Sequence, residues 1–421
     1  MSNKASEVCK HLFSLNTRGI KYDLQRIEEA AKRLGNPQNC FRSIHIAGTN
    51  GKGSTCAYLE SILRTSGYKT GLFSSPHIMR FEERFQINGK IISEEQWLDI
   101  YELQSGLIDE LKLTFFEATT LMAYELFKKE GVQWAVFETG MGGRLDATNI
   151  IKPAVSVITR IAMDHAEFLG DNILSIAREK LGIVKQNTPL VIASNADVSV
   201  MDLVRDICKS KNADLTIISA DSAFTRQTDE GQQIGQDGVF YDVGLRGPFQ
   251  ALNVLLAVAA IKKAGITDDK IIKKGLLETV LPGRFQKYKI NEKTVIFDVG
   301  HNPDAAEAFV SAVKSDFPDK RACIVTGIMK DKDIAGVLKN YLGIAGDLIL
   351  TQPQIERAAS PYDLLSHVPP EERKRCSIAP DIESAVAAAF NNPNDLICVA
   401  GSFYTVGEAF KAMKIEPFKR N

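Results

Sequence analysis

The run Gly48-Thr-Asn-Gly-Lys-Gly-Ser54 stands directly after the apolar residues 44–47 and directly before a helical pattern that opens at Thr55. A glycine-rich turn between a strand and a helix restricts the fold, because its backbone must take conformations only glycine adopts freely while the strand feeds straight into the helix. In that setting several N–H groups face one point, the helix N-terminus adds its positive dipole end, and Lys52 adds a mobile charge. The turn therefore reads as a phosphate cradle, with Ser54 or Thr55 placed to hold Mg²⁺. It departs from the common G-x-x-x-x-G-K-[ST] form, since Ile46 stands where the first glycine belongs and Gly53 separates Lys52 from Ser54. The alternative is an ordinary strand-to-helix turn.

From residue 44 onward, short β-branched runs alternate with amphipathic stretches, the pattern of an α/β fold with a mostly parallel sheet. Strands are expected at 44–47, 69–73, 134–138, 154–159, 189–193 and 214–218, and helices at 53–66, 93–111, 116–130, 172–185, 248–264 and 268–279. Asn88-Gly89 between apolar neighbours signals a hairpin that leaves this alternation. The continuous apolar character at 134–138 and 154–159 fits strands buried on both faces, with functional residues at their C-terminal ends. The polar stretch 221–238 reads as an exposed excursion before further β structure. Leu281-Pro-Gly-Arg284 then breaks the pattern, and a second alternation follows with strands near 294–298, 322–326, 347–350 and 395–399. The domain boundary is placed there, giving domains 1–283 and 284–421, the second a small doubly wound α/β domain. No repeat of solenoid period is visible.

The balance of 51 basic against 52 acidic residues argues against a bulk electrostatic pull toward nucleic acid or anionic lipid. Seven cysteines lie scattered with no C-x-x-C pair, which fits a reducing, cytoplasmic compartment. The first residues lack an apolar leader core, and no run approaches the roughly 20 apolar residues of a membrane span, so a soluble chain is expected.

Three constellations fall at expected strand ends. Ser74-Ser75-Pro-His follows 69–73; its hydroxyls suit a hard cation, and the alternative is a Ser-Pro turn. Glu138-Thr-Gly-Met-Gly-Gly-Arg-Leu-Asp146 ends a buried strand in a carboxylate, which needs a cationic partner. Asp164-His165 follows 154–159, where an imidazole either joins a metal shell or serves as a hydrogen-bonded structural residue. Lys180 near a helix end reads, from its neighbours alone, as a solvated lysine. In the second domain, Asp298-Val-Gly-His301-Asn-Pro303 closes an apolar strand and opens a helix, either to recognise a polar ligand or as an Asx-type cap.

Taken in order, Gly48-Thr-Asn-Gly-Lys-Gly-Ser, Ser74-Ser-Pro-His, Leu113-Thr-Phe-Phe-Glu, the segment 138–149, Arg178-Glu-Lys-Leu-Gly-Ile, Leu281-Pro-Gly-Arg-Phe-Gln and the segment 298–303 resemble the folylpolyglutamate synthase family, from about residue 20 to 407. The resemblance implies a Mur-ligase-like ATP-binding domain followed by a smaller glutamate-ligase domain, with catalysis between them. It implies a ligase in which ATP phosphorylates the carboxylate of dihydropteroate or the γ-carboxylate of a reduced folate, and L-glutamate displaces phosphate from the acyl phosphate. By resemblance, Thr49, Asn50, Gly51, Lys52, Gly53 and Ser54 hold ATP, joined by Asn253, Arg284 and Asp298. Ser75, Glu138 and His165 match Mg²⁺ ligands. Lys180 matches a carbamylated lysine able to support a second Mg²⁺, which replaces the solvated reading. His301 is a candidate for the phosphate or glutamate region. The pterin side falls to Lys21, Tyr22, Asp23 and Leu24, to Thr114, Phe115, Phe116 and Glu117, and to Leu145, Asp146 and Ala147. Phe115 or Phe116 is expected to stack on the heterocycle, and Asp146 to bond its amino-pyrimidine edge. A monomer is expected.

Alternatives remain open at this point. The chain is a tail-extending folate ligase only, or a Mur ligase for a UDP-linked precursor, which needs a further domain where 47 residues precede Gly48 here, or a regulatory P-loop ATPase, which leaves the second domain without a role.

Overall fold

The computed structural model describes residues 2–19, 23–163, 166–221, 223–228 and 231–418. Buried β-branched and aromatic runs form the first sheet: β1 (Arg42–Ala47), β2 (Thr70–Phe73), β3 (Phe85–Ile87), β4 (Lys90–Ile91), β5 (Trp134–Glu138), β6 (Val155–Ile158), β7 (Leu190–Ala193) and β8 (Leu215–Ile218). Their order is β4-β3-β2-β5-β1-β6-β7-β8. The pairs from β2 to β8 are parallel, and only the β3–β4 excursion is antiparallel. Asn88 and Gly89 turn it with φ of 51° and 69°, as the Asn-Gly signal predicts. Every position of β5 and β6 is buried, so both sheet faces are covered, and β5 and β6 flank β1. Loops leaving β1, β2, β5 and β6 consequently emerge along one edge, at the point where strand order reverses.

One core gathers Phe73, Phe137, Trp97, Leu121 and Phe127 beneath the helices Glu94–Glu110 and Phe115–Lys129. Another holds Ile158, Ile176, Leu190 and Val204. The helix after β1, Lys52–Thr65, packs so closely on the helix Asp269–Glu278 that Ser61 Oγ donates to the Gly275 carbonyl at 2.7 Å. The helix expected at 172–185 runs only over Ile173–Leu181. Gly182 caps it, at a position where a Cβ would lie 2.3 Å from that of Arg144, and the chain then buries Ile183 and Val184.

The second unit contains an antiparallel sheet of β9 (Phe224–Gln227), β10 (Gln232–Gln236) and β11 (Val239–Val243). It also holds the six-stranded sheet of β12 (Gln286–Ile290), β13 (Lys293–Asp298), β14 (Ala322–Thr326), β15 (Ala345–Leu350), β16 (Cys376–Ile378) and β17 (Leu396–Ala400), in the order β12-β13-β17-β14-β15-β16. The latter is parallel except for β12. β9 and β10 lie inside the stretch 221–238, read from sequence as an exposed excursion ahead of further β structure; the glutamines that disguise β10 include Gln232, fully buried with its Nε2 donating to the Gly247 carbonyl at 2.9 Å. β12 and β16, both at sheet edges, carry no continuous apolar run.

The two units divide the chain as 1–222 with 252–279, and 223–251 with 280–421. The sequence reading draws a single cut after 283. Among the described residues, no helix is long and apolar enough to cross a membrane, and the seven cysteines form no disulfide.

Candidate functional site

The turn after β1 is built by close approach. Gly48 lies against Thr159, whose Oγ1 would be 1.8 Å from a Cβ, and that hydroxyl donates to the Asn50 carbonyl at 2.8 Å. Thr49 N donates to the Arg160 carbonyl at 2.8 Å and Thr49 Oγ1 to that of Ala162 at 2.9 Å, so the loops after β1 and β6 are tied together. Gly51 has φ +92° and faces Asn253, whose Oδ1 would be 2.3 Å from a Cβ. Lys52 opens the helix and its Nζ donates to the carbonyls of Gly48 and Thr49 at 3.1 and 3.3 Å. Lys180 Nζ, on a side chain that is almost fully buried, reaches the same Gly48 carbonyl at 2.9 Å. Two lysines therefore converge on one turn with Asn253, Gly53 and the buried Ser54 around it.

Glu138 closes β5 as a buried carboxylate, and its Oε2 accepts from Ser75 N, just past β2, at 3.2 Å. Both Glu138 and Lys52 act electrostatically on the buried Cys56, one turn into the helix, where burial pushes the thiol pKa far up. The buried Thr55 Oγ1 has no hydrogen-bond partner among the described residues. One carboxylate with neighbouring hydroxyls is an oxygen donor set that fits Mg²⁺, which favours few protein ligands and leaves positions for phosphate. Among the described residues no group of three His, Cys, Asp or Glu forms a ready cage. The expected third ligand, His165, lies outside the described residues with Asp164, as do Lys21 and Tyr22 on the pterin side.

The glycines after Glu138 serve packing. Gly140 gives room to the Phe116 ring, 2.7 Å from a Cβ there, and Gly143 lies 2.8 Å by the same measure from the Glu179 carbonyl beside Lys180. Asp146 is buried and folds the loop around itself: Oδ2 accepts from Gly140 N and Met141 N at 2.9 and 3.0 Å, while Oδ1 accepts from Thr148 N at 3.0 Å and from its hydroxyl. Burial raises its pKa, and these bonds oppose the rise. Leu145 is half-buried and Ala147 buried beside it.

Thr114 and Glu117 form a capping box at the start of the helix Phe115–Lys129. Glu117 Oε1 also accepts from Arg26 Nη2 at 3.0 Å, and Arg26 Nη1 reaches Asp23 at 3.3 Å. Arg26 thus joins Asp23 and, through the turn, Leu24 to the Thr114 turn, a role that sequence reading missed in a charged helix. Phe115 is stacked by Phe13 with centroids 5.3 Å apart and carries the Arg84 guanidinium 4.9 Å over its ring. Phe116, half-buried against Gly140, is the better placed of the two for a flat ligand.

In the second unit, Asp298 ends β13 and joins two motifs: Oδ2 accepts from Phe285 N at 3.0 Å and Oδ1 from Gly300 N at 2.7 Å. Burial raises its pKa against the opposing charge of Arg284. Arg284 lies 5.5 Å over the Phe403 ring, and His301 packs near the same ring with Nδ1 3.2 Å from the Val299 carbonyl. Asn302 caps the helix Pro303–Asp316, so the Asx-cap reading holds for that residue. The structure brings together Arg284, Asp298 and His301 here, and Thr49 to Ser54, Lys180 and Asn253 in the first unit.

The Mur ligase middle domain matches residues 46–261, and the Mur ligase, glutamate ligase domain matches residues 283–403. The chain is 33% identical over 404 residues to the dihydrofolate synthase/folylpolyglutamate synthase of Escherichia coli, covering 96% of this chain and 94% of that one. It is similar to Mycobacterium tuberculosis folylpolyglutamate synthase solved with ADP and AMPPCP, with a TM-score of 0.90, 28% identity and coverage of 99% and 100%. A bifunctional folylpolyglutamate synthase/dihydrofolate synthase solved with Mn, AMPPNP and L-glutamate matches with a TM-score of 0.84, 30% identity and 99% coverage of each chain.

Proposed function

This chain belongs to the Mur ligase family, in its dihydrofolate synthase/folylpolyglutamate synthase group, and from that premise we propose which of its residues carry the reaction. It is an ATP-dependent ligase that joins L-glutamate to dihydropteroate and to the γ-carboxylate of reduced folates. Two anions must meet in such a reaction, so the site has to gather positive charge without burying it unpaired. Lys52, the amides of residues 49–54 and Asn253 are assigned to the ATP phosphates, with Arg284 and Asp298 as the second unit's nucleotide contacts. The observation that carries the assignment is the 3.2 Å bond between Ser75 N and Glu138 Oε2 at the ends of β2 and β5, in one sheet with the Lys52 turn.

Ser75 and Glu138, with His165, are assigned to hold Mg²⁺; bound there, the ion supplies a Lewis acid that offsets phosphate charge. The carboxylate oxygen of the folate attacks the γ-phosphorus and ADP leaves. The glutamate amine then attacks the acyl carbon, and inorganic phosphate departs with the C–O bond while the amine gives up a proton. Lys52 and the loop amides hold the developing charge without reorganising. Lys180 is assigned as a carbamate: its neutral Nζ adds CO₂ with loss of one proton, changing a cation into an anion beside Gly48 that supports a second Mg²⁺. His301 is assigned to the phosphate or glutamate region. Phe116, Asp146 and the turn at Thr114 are assigned to the pterin, with Phe115, Glu117, Asp23 and Leu24 as the frame behind them. A monomer in the cytoplasm is proposed, supported there by seven cysteines without a disulfide.

The test is ADP release with Mg·ATP and L-glutamate, run separately with dihydropteroate and with monoglutamyl tetrahydrofolate. Turnover with both that stops when glutamate is omitted is the expected result. Turnover indifferent to glutamate would overturn the ligase assignment.

A further inference from the structure

Beneath the loop that follows β5 runs a buried chain of hydrogen bonds, from His45 through Thr148 to Asp146, whose first two members have no role in the reaction scheme. His45, in the middle of β1, is fully buried, with Nε2 2.8 Å from Thr148 Oγ1. Thr148 Oγ1, also fully buried, donates to Asp146 Oδ1 at 2.5 Å. A threonine hydroxyl carries one proton. With that proton directed at Asp146, Thr148 can only accept from the histidine, which makes His45 the neutral Nε2–H tautomer. Its Nδ1 has no hydrogen-bond partner among the described residues, and as a bare lone pair this costs less than an orphaned N–H would. Asp146 passes the order on: its other oxygen holds Gly140 N and Met141 N, and Gly140 is the residue against which the Phe116 ring rests.

We propose that His45 is a positioning residue for the pterin-bearing substrate, fixing the Thr148 hydroxyl so that Asp146 and the Gly140–Met141 turn stand preformed beside Phe116. The inference rests on the assignment of Asp146 and Phe116 to the pterin side. A histidine on β1 could brace the nucleotide turn three residues on, but among the described residues its side chain bonds sideways to Thr148, under the loop after β5. A preformed loop lowers the ordering cost of binding and so acts on substrate affinity.

KM for dihydropteroate, ATP and L-glutamate, with kcat, would be measured for the full-length enzyme and its variants His45→Leu, His45→Gln, Thr148→Val, Thr148→Ser and Asp146→Asn. His45→Leu should raise KM for dihydropteroate about tenfold, the scale of one lost bond in a buried network, with KM for ATP within about twofold. His45→Gln, whose amide N–H can reach Thr148, should recover most of that loss. Combining His45→Leu with Thr148→Val should cost less than the product of the two. If His45→Leu does not fold, Thr148→Val against Thr148→Ser makes the same comparison. A uniform change in all three KM values, or glutamine no better than leucine, overturns the inference. An unchanged dihydropteroate KM in Asp146→Asn overturns the pterin assignment beneath it; a raised KM there with none in His45→Leu overturns the inference alone.

Discussion

Gly48 shows how little freedom the nucleotide turn has, since a methyl group on it would overlap Thr159 Oγ1 at 1.8 Å and still press on Thr159 Cβ at 3.0 Å. Gly48→Ala should therefore lose about 2–3 kcal/mol in urea denaturation, and adding Thr159→Ala should return part of it, because only the first overlap is relieved. Equal losses in the single and double variants would mean the strain lies elsewhere. At Lys180 the question is chemical: if a carbamate supplies the anion, Lys180→Ala should lose nearly all turnover, and a small carboxylate such as acetate should restore part of it. Full activity without the additive would end the carbamate assignment. His45 gives a pH dependence with a definite sign. Burial first, and the charge of Lys185 second, lower its pKa from 6.5 to about 3, so between those values the unfolded chain binds a proton that the native chain refuses. Stability should fall as pH drops from neutrality, by up to about 1.4 kcal/mol per unit and about 2 kcal/mol by pH 5. His45→Gln should remove that share of the slope in urea midpoints taken at neutral and mildly acid pH; an unchanged slope would mean the imidazole is not held neutral.

At the scale of elements, the start of the helix Phe115–Lys129 serves the fold before it serves a ligand. Thr114 Oγ1 accepts from Glu117 N at 3.3 Å, and Glu117 Oε2 accepts from Thr114 N at 2.8 Å. Thr114→Ala should cost about 1 kcal/mol and lower Tm whether or not folate is present, while Thr114→Ser should be close to neutral. No change in Tm with the alanine would assign Thr114 to the ligand alone. The same region shows what sequence can tell. Strand ends at Glu138 and Asp298 were readable because an apolar run stopping at a carboxylate is unusual, and the Asn88-Gly89 turn because two successive residues of positive φ favour that pair. The hairpin of β10 and β11 carries the same kind of signal, Asp237-Gly238 with φ of 52° and 78°, but glutamine-rich flanks hid it. Arg26 was unreadable for another reason: Asp23 is a local neighbour, but Glu117, the partner that gives Arg26 its role, is 91 residues away and meets it only in three dimensions.

For the molecule as a whole, the segment 223–251 decides what can be separated from what. It groups with 280–421 although 252–279 returns to the first unit. A sequence scan finds a boundary at a breaker such as Pro282-Gly283, and so misses a segment whose allegiance rests on packing rather than on composition. Phe249 packs on the core of the six-stranded sheet, a cluster that includes Phe285 and Phe309, and the charge of Arg246 opposes the rise that burial causes in the pKa of Asp316. Lys287 lies 3.7 Å from that carboxylate, whose side chain is only 3% exposed. Removing 223–251 would uncover the apolar face under Phe249 and take Arg246 away from Asp316. A fragment 280–421 should accordingly be cut rapidly by limited proteolysis at neutral pH. Residues 223–251 joined to 280–421 by a short glycine-serine linker should resist the protease several-fold longer. The linker's own closure cost is small against the apolar surface it restores, because loop entropy grows only slowly with length. Equal digestion rates for the two fragments would show that the three-stranded sheet is an appendage, and that the single cut after 283 is the better division of the chain.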